Sequence, residues 1–300
     1  MKILPYGAAL LAMFFWAASF IVIKIAYLYM GAYTLTFLRL VAASLLMPIL
    51  YYISPQRDRI KRKHILHLLL LSFFEPFLYF IGESKGMLYV PASYGAIIIS
   101  LIPLVTPIVA WILIKEPITK WGIAGTIISF SGVALLVSGN ADGTVSLKGL
   151  AFLFLAVLAA VGYGISLRQI AHEYKPVTIV MVQTFFGMLY FLPLFLIFES
   201  RQFFTAIPPW EAFLPVLGLA IFCTCGAFLL FTFAIRQIGL NNANILSNMI
   251  PVFTTVLAFF ILKEAVPVTK AVGILIVVGG LFLSQYPLLV KAKKRRHLLK

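Results

Sequence analysis

Ten long apolar segments run through the chain, separated by short polar or charged stretches. A helix needs about 20 mostly apolar residues to cross the hydrocarbon core of a bilayer. The segments are continuously apolar, whereas the strands of a membrane barrel alternate over about 10 residues. The pattern therefore predicts an all-α integral membrane protein with ten transmembrane helices, at Leu4–Tyr27, Thr34–Ile53, Ile65–Glu83, Pro91–Ile114, Trp121–Val137, Leu147–Leu167, Val177–Phe198, Ala212–Ile235, Asn242–Leu262 and Val268–Leu289.

Composition excludes a soluble fold. Hydrophobic residues make up 62% of the 300 residues and charged residues 11%, with a mean hydropathy of +1.05. Soluble domains are about half apolar and about a quarter charged. The net charge of +15 would ordinarily indicate nucleic acid, which requires basic side chains on one wetted face. Here the basic residues separate apolar segments, so we predict no nucleic-acid partner.

The distribution of Lys and Arg predicts the orientation of the chain, because cytoplasmic loops are enriched in these residues. With both termini in the cytoplasm, 17 of the 24 basic residues lie in inner segments, six lie at outer ends, and Arg39 lies within a span. The basic loop at 54–64 and the basic tail could bind anionic lipid headgroups. The alternative is that they only fix the orientation.

The two halves of the chain resemble each other at a shift of 148 residues. This shift places Ile250–Pro251 on Ile102–Pro103 and Lys263–Glu264 on Lys115–Glu116. We predict two five-helix repeats, residues 1–144 and 145–300, with a chance match in a biased sequence as the alternative. Because five is odd, the second repeat must enter the membrane from the opposite side. Inverted repeats of this kind commonly surround a transport site near the midplane.

The order of these motifs resembles the EamA branch of the drug/metabolite transporter superfamily. Each half ends its fourth span with a Lys-Glu pair, and the first span carries the segment Trp16-Ala-Ala-Ser19-Phe20. The resemblance covers essentially the whole chain and implies a ten-helix secondary transporter of the inner or plasma membrane, commonly an exporter of amino acids or other small metabolites. The superfamily also includes carriers of nucleotide sugars and sugar phosphates. The third span departs from internal symmetry, since only the first half is charged there.

Glu75 lies near the middle of the third predicted span. An ionisable group inside a span costs about 2.5–3.5 kcal/mol on insertion scales and usually faces a cavity. At 100° per residue, Tyr79 and Glu83 fall on the same face, and Pro76 can kink the helix. We expect Glu75 to contact a substrate amine or, together with Glu83, to relay a proton. The alternative is that Glu75 joins two helices by hydrogen bonds.

Arg39 lies in the outer third of the second predicted span, at a depth similar to that of Glu83. Guanidinium groups bind carboxylates well. Arg39 is therefore expected either to attract a substrate carboxylate or to pair internally with Glu83, and the sequence leaves both interpretations open.

Polar residues repeat along one face of the ninth predicted span. Asn241, Asn244 and Asn248 share this face, and the 148-residue shift places Ser93 and Ser100 at equivalent positions in the first half. Matching polar faces in inverted repeats are expected to line a common path. Hydrogen bonds between helices are the alternative.

Aromatic residues beside small or polar residues are further cavity candidates. Trp16 lies next to Ser19 in the first span, and Tyr163 occupies the related place in the sixth. Tyr79 and Tyr94 also lie within spans. We expect these rings to stack on an apolar substrate or to form a gate.

Small residues mark the fifth and tenth predicted spans, where Gly125 and Ser129, and Gly280 and Ser284, have the small-xxx-small spacing that allows close helix approach. We expect these residues to serve packing or a homodimer.

Several function classes lack support in the sequence. No cluster of metal ligands, Gly-rich phosphate loop or reactive set of side chains is present, so we predict no metal, no cofactor and no enzyme. The sequence predicts a multi-pass cell-membrane transporter that exports amino acids or similar small amphipathic metabolites by alternating access. The alternatives are a nucleotide-sugar or sugar-phosphate carrier, which would need several cavity cations, and a structural or sensory membrane protein.

Overall fold

The computed structural model describes residues 3–53, 58–114, 119–138, 145–240, 243, 246–284 and 286. All regular structure in these ranges is helical. Six helices occupy uninterrupted stretches of the sequence, of which α3 is kinked at Glu75: α1 (Ile3–Ala26), α2 (Ala32–Ile53), α3 (Arg62–Met87), α6 (Leu147–Ile170), α7 (Pro176–Phe198) and α8 (Trp210–Ile238). Helix α4 consists of Ala92–Ile99 and Ile102–Ile114, and a short helix, Ser200–Thr205, follows α7. The remaining helices are α5 (Lys120–Leu136), α9 (Leu246–Leu262) and α10 (Val268–Ser284).

The helices fall where the apolar segments predicted them, within a few residues at most ends. Among the described residues, seven helices are long and apolar enough to cross a membrane, and α5, α9 and α10 are shorter apolar helices. The prediction of an all-α, multi-pass membrane protein is therefore confirmed. The count of ten spans and the cytoplasmic position of both termini stay predictions.

Helix pairing follows the predicted repeat. Helix α2 packs on α7, α4 on α9 and α5 on α10, so that each helix contacts its own counterpart in the other half. Helix α3 packs on α6 and α1 packs on α8, and the repeat relation exchanges these two pairs. This arrangement fits a two-repeat architecture with α1, α3, α6 and α8 around the centre.

Three helices contain widened turns that the apolar pattern does not reveal. These π-type segments are Phe73–Leu78 in α3, Leu219–Gly226 in α8 and Ala258–Leu262 in α9. Such turns are rare and often occur at functional sites. The segments of α3 and α8 coincide under the 148-residue shift, which places Glu75 on Cys223. The two repeats therefore share a backbone irregularity even where their side chains differ.

The small residues of α5 and α10 pack these two helices against each other within one chain. A Cβ atom added to Gly125 would lie 2.5 Å from the carbonyl oxygen of Gly280, and the Ser129 hydroxyl donates to the carbonyl of Val277 at 3.0 Å. Such close approach is the usual role of small residues in membrane helices. The small-residue faces of α5 and α10 thus pack against each other within one chain. The homodimer stays a prediction, and it would have to use another surface.

Neighbouring glycines of α10 provide a matched test of this packing. In Gly280→Ala the new methyl group would lie 2.7 Å from the carbonyl oxygen of Gly125, so the helices must separate, and we expect the free energy of unfolding to fall by about 1–3 kcal/mol. Gly279→Ala is the control, because no heavy atom lies within 4 Å of the new methyl group. Thermal unfolding in detergent measures both variants, and equal stability would contradict the close packing of α5 and α10.

Candidate functional site

A cavity lies at the centre of the helices. It draws side chains from α1, α2, α3, α4, α6, α8 and α9. Of the residues predicted from sequence, the lining includes Trp16, Ser19, Arg39, Glu75, Tyr79, Glu83 and Tyr163.

The widened turn of α3 places Glu75 at the cavity. The backbone of Glu75 has φ −147° and ψ 120°, which is extended rather than helical, and Pro76 follows. Gly187 of α7 has no side chain to fill the space where the Pro76 ring packs. The Glu75 side chain is 7% exposed, and among the described residues no hydrogen bond or ion pair engages its carboxylate. Glu75 is therefore a buried acceptor that faces open space.

Arg39 and Glu83 form a second polar group in the cavity lining. Its Nη1 lies 3.9 Å from Oε2 of Glu83, its Nε donates to the hydroxyl of Thr224 at 2.5 Å, and its Cζ lies 4.2 Å from the ring centre of Phe80. Tyr79 donates to Oε1 of Glu83 at 3.1 Å. Of the two interpretations open for Arg39, the structure shows the contact with Glu83.

Aromatic rings form the wall between α1, α6 and α8. Trp16 packs edge-on against Phe228 and Phe231, with ring centres 5.4 and 4.9 Å apart, and its Nε1 donates to the carbonyl of Cys223 at 3.2 Å. Tyr163 packs against Phe228 at 6.1 Å and donates to Oε1 of Gln183 at 3.4 Å. The wall presents ring faces and edges to the cavity while its polar atoms are bound elsewhere.

Three further described residues that the sequence predicts for the cavity, Tyr94, Ser100 and Asn248, are not part of its lining. Tyr94 lies under the Lys270 ammonium, 5.3 Å from its ring centre, and the Ser100 hydroxyl donates to the carbonyl of Ile97. Asn248 is fully buried in the 3-10 turn Leu246–Met249, where its neighbour Ser247 lines the cavity. Asn244 lies outside the described residues. Roles for these four residues in transport stay predictions.

Carboxylates at helix ends join the two halves, a feature that the sequence pattern does not predict. Glu199, just after α7, accepts hydrogen bonds from the backbone nitrogens of Tyr33 and Thr34 at the start of α2, at 3.2 and 2.7 Å. In return, Asp58, which follows α2, accepts from the backbone nitrogen of Lys175 and the hydroxyl of Thr178 at the start of α7. Anionic groups are favoured at helix N-termini. Each contact joins the end of one member of the α2–α7 pair to the start of the other, although the 148-residue shift places Glu199 on Tyr51 rather than on Asp58.

Glu264 makes the corresponding contact between α9 and α4. Its carboxylate accepts from the backbone nitrogen of Ala92 at 2.7 Å and from the Ser93 hydroxyl at 2.5 Å, and the buried Lys270 ammonium lies 3.2 Å away. The repeat equivalent, Glu116, lies outside the described residues. Glu199 and Glu264 lie at the predicted outer face, and Asp58 lies at the predicted cytoplasmic face.

The predicted cytoplasmic face also carries an exposed ion pair between Lys61 and Glu173. The Lys61 ammonium lies 2.8 Å from Oε2 of Glu173 and, through this hydrogen bond, holds the pKa of Glu173 below its usual range. Tyr174 accepts from the backbone nitrogen of Lys61 at 3.0 Å and lies 2.9 Å from Nδ1 of His64. Exposed ion pairs of this kind contribute little to stability.

Known proteins resemble this chain over most of its length. An uncharacterized transporter of Bacillus subtilis, YetK, is 28% identical over 249 residues, which cover 82% of this chain and 75% of that protein. An uncharacterized transporter of Archaeoglobus fulgidus is 25% identical over 280 residues, covering 91% of this chain and 94% of that protein. A solved crystal structure shares the fold, with a TM-score of 0.67 and 16% identity over 95% of this chain and 98% of that chain.

The profile of the EamA-like transporter family matches two stretches, residues 4–138 and 147–286, which together span most of the chain. The resemblance predicted from the Lys-Glu pairs and the first span is thereby confirmed, and its relatives are named as transporters rather than enzymes. The chain therefore belongs to the EamA-like transporter family, whose place is in the drug/metabolite transporter superfamily.

Proposed function

We propose that this protein is a secondary transporter that exports amino acids or similar small amphipathic metabolites carrying an amino group, by alternating access through the central cavity. Membership of a transporter family supports the general class. The observation that carries the specific proposal is Glu75, a buried carboxylate without a hydrogen-bond partner among the described residues, which faces a cavity with aromatic walls. A buried charge of this kind is costly unless a partner arrives to pair with it.

Alternating access is supported by the contacts between the repeats. At the predicted outer face, Glu199 and Glu264 tie the ends of α7 and α9 to the starts of α2 and α4. The cavity lining meanwhile extends to Leu240 and Ser247, toward the predicted cytoplasmic end of α9. Because Asp58 makes the same kind of contact at the predicted cytoplasmic face, the proposal of a state closed at the outer face rests on this reach of the cavity lining toward the cytoplasm. Inverted repeats allow the opposite state to form by exchange of equivalent contacts.

We propose that transport is coupled to protons, because the carboxylate of Glu75 would bind both the substrate and the proton. A substrate ammonium and a proton would compete for the Glu75 carboxylate, so that loading one releases the other. Glu83 is the second acidic residue of the lining and is the candidate partner in this exchange. This step extends the proposal and rests on the same cavity.

The rival substrate class finds less support in the cavity. Carriers of nucleotide sugars or sugar phosphates must bind several negative charges, and Arg39 is the basic residue among the described lining. Two acidic residues share that lining, which would repel a phosphate.

Exposed basic residues at the predicted cytoplasmic face bear on the location of the protein. We place the protein in the cell membrane, with the exposed basic residues Arg59, Lys61, Arg62 and Lys63 near anionic lipid headgroups of the cytoplasmic leaflet.

A transport screen tests the proposed function. Purified protein is reconstituted into sealed liposomes, and uptake of radiolabelled amino acids, primary amines, a nucleotide sugar and a sugar phosphate is measured against protein-free liposomes. We expect uptake of at least one amino-bearing metabolite above the background. Uptake of none of these, by protein that unfolds cooperatively, would contradict the proposal, and uptake of the phosphorylated compounds alone would replace it by the rival.

Removal of the Glu264 contact is expected to open the predicted outer face. In a background with Cys223→Ser and Cys225→Ala, a cysteine replaces Ala96, which is fully buried one turn inside the start of α4. Loss of a helix cap costs about 1–2 kcal/mol, a factor of about 5–30 in an equilibrium. Glu264→Ala also leaves the Lys270 ammonium, whose side chain is 4% exposed, without its carboxylate. The variant should therefore speed labelling of this cysteine by an impermeant maleimide on intact cells by at least that factor.

Glu211→Ala is the matched control for this labelling experiment, since Glu211 is an exposed carboxylate at the start of α8 on the same predicted face. Its labelling rate should equal that of the parent. Equal rates in the Glu264 and Glu211 variants would mean that the contact between α9 and α4 does not hold the outer face closed.

A further inference from the structure

The polar groups of the cavity divide unequally into hydrogen-bond donors and acceptors. Trp16 donates to the carbonyl of Cys223, Ser19 to the carbonyl of Trp16, and Thr106 to the carbonyl of Ile102. Tyr79 donates to Glu83 and Tyr163 to Gln183. Ser247 is engaged as well. The five hydroxyl and indole donors of Trp16, Ser19, Thr106, Tyr79 and Tyr163 are therefore already bound to the protein.

Arg39 is a basic residue of the described lining whose hydrogen-bonding capacity is only partly used. The residue is 3% exposed, its guanidinium lies against the face of Phe80, its Nε donates to Thr224, and its Nη1 lies 3.9 Å from Oε2 of Glu83, beyond hydrogen-bond distance. A carboxylate that binds Arg39 would lie beside Glu83 and would meet the repulsion of both acidic residues of the lining. By contrast, the Glu75 carboxylate is an acceptor that no described residue engages.

The balance of charge points in the same direction. With Glu75, Glu83 and Arg39 ionised, the lining carries one negative charge in excess. A ligand with one positive charge neutralises the cavity, a zwitterion leaves the excess in place, and an anion doubles it. Excess charge is expensive in a site of low dielectric constant. The aromatic wall adds to the preference, because ring faces attract cations.

We infer that this cavity selects amphipathic primary amines with a net positive charge, and discriminates against the corresponding zwitterionic amino acids, because Glu75 supplies an acceptor for the ammonium group while the guanidinium of Arg39 already lies beside the carboxylate of Glu83 and the acidic groups of the described lining are in excess. This inference rests on the proposed function and narrows its substrate class. Glu75 pairs with the ammonium group, and the rings of Trp16, Tyr163 and Phe228 contact the apolar body.

A series of compounds with one common body tests this selectivity. Phenethylamine and phenylalaninol carry the ammonium group without a carboxylate, phenylalanine carries both, and 3-phenylpropanoate carries the carboxylate alone. Binding is measured by the rise in melting temperature of the wild-type protein with ligand concentration, since a ligand that binds the folded state raises its stability. We expect the two amines to bind at least about tenfold more tightly than phenylalanine. We expect 3-phenylpropanoate to cause no rise in the melting temperature.

Three outcomes of the series would overturn the inference. These are phenylalanine binding as tightly as the amines, 3-phenylpropanoate binding tightest, and no binding of either amine to folded protein at millimolar concentration. In Glu75→Gln the preference for the amines over phenylalanine should disappear, whereas Glu211→Gln, an exposed site, should retain it. The wild-type series decides the question even where a variant fails to fold.

Uptake of the same compounds into proteoliposomes separates this inference from the proposed function. Amines that bind selectively but are not transported would contradict transport and leave the selectivity intact. Transport of phenylalanine with exclusion of the amines would support transport and overturn the selectivity.

Discussion

Replacement of Arg39 by methionine is expected to lower the free energy of unfolding by about 3–5 kcal/mol, because removal of one member of a buried ion pair leaves the other charge uncompensated. Glu83 is 3% exposed and would keep only the hydrogen bond from Tyr79. The variant would also lose the contacts of the guanidinium with Thr224 and Phe80.

Unfolding in detergent, followed by tryptophan fluorescence or calorimetry, measures this loss. The double variant Arg39→Met/Glu83→Gln is the control, since it removes both charges, and it should recover a large part of the stability. Wild-type stability in Arg39→Met would show that the pairing with Glu83 is unimportant. A loss of stability with unchanged ligand affinity would identify Arg39 as a structural partner rather than a substrate contact.

Glu75→Gln is expected to have the opposite signature, with transport lost and folding preserved. Truncation of one partner of a buried charge pair costs about 2–5 kcal/mol in binding, so substrate flux at low concentration should fall about hundredfold. The melting temperature should stay the same or rise, because the variant no longer buries a carboxylate without a partner among the described residues. Initial rates of uptake at several pH values measure the first effect.

Glu211→Gln provides the matched control for this substitution, because it makes the same chemical change at an exposed site on the predicted outer face. Its flux and stability should equal those of the wild type. Wild-type flux in Glu75→Gln across the pH range would remove Glu75 from the mechanism.

Much of the fold follows from periodic features of the sequence. The lengths of the apolar segments predict the helices, because the thickness of a bilayer fixes how many residues a span requires. The paired motifs Ile102–Pro103 and Ile250–Pro251 reveal the repeat, and the observed packing of α4 on α9 agrees with it. Glu75 attracts attention from sequence alone, since a charge inside a span is expensive, and the structure places it at the cavity.

The features that the sequence does not reveal depend on contacts between distant segments. Glu199 and Glu264 are ordinary polar residues at the ends of apolar runs, and their roles appear only when the helices of the other half lie beside them. Thr224 becomes the partner of Arg39 only through the packing of α2 against α8. No local sequence pattern predicts contacts between residues so far apart in the chain.

Irregular backbone interrupts the helix faces on which the sequence predicts further cavity residues. The predicted faces that carry Ser100 and Asn248 assume continuous α-helices. Helix α4 is interrupted at Ser100–Leu101, and Asn248 lies in a 3-10 turn with about 3.0 residues per turn. Asn248 is therefore displaced from the face that a regular helix predicts, whereas Ser100 ends a regular segment and its hydroxyl donates to the carbonyl of Ile97.

Solute counterflow tests the central claim, which is that the chain carries a small solute through this cavity by alternating access. Sealed proteoliposomes are loaded with a high concentration of an unlabelled substrate and diluted into a trace of the same labelled compound. A carrier that exchanges one molecule for another must accumulate the label transiently above its equilibrium level. We predict this overshoot for the wild-type protein and its absence in Glu75→Gln, whereas a monotonic approach to equilibrium by the wild type would contradict alternating access.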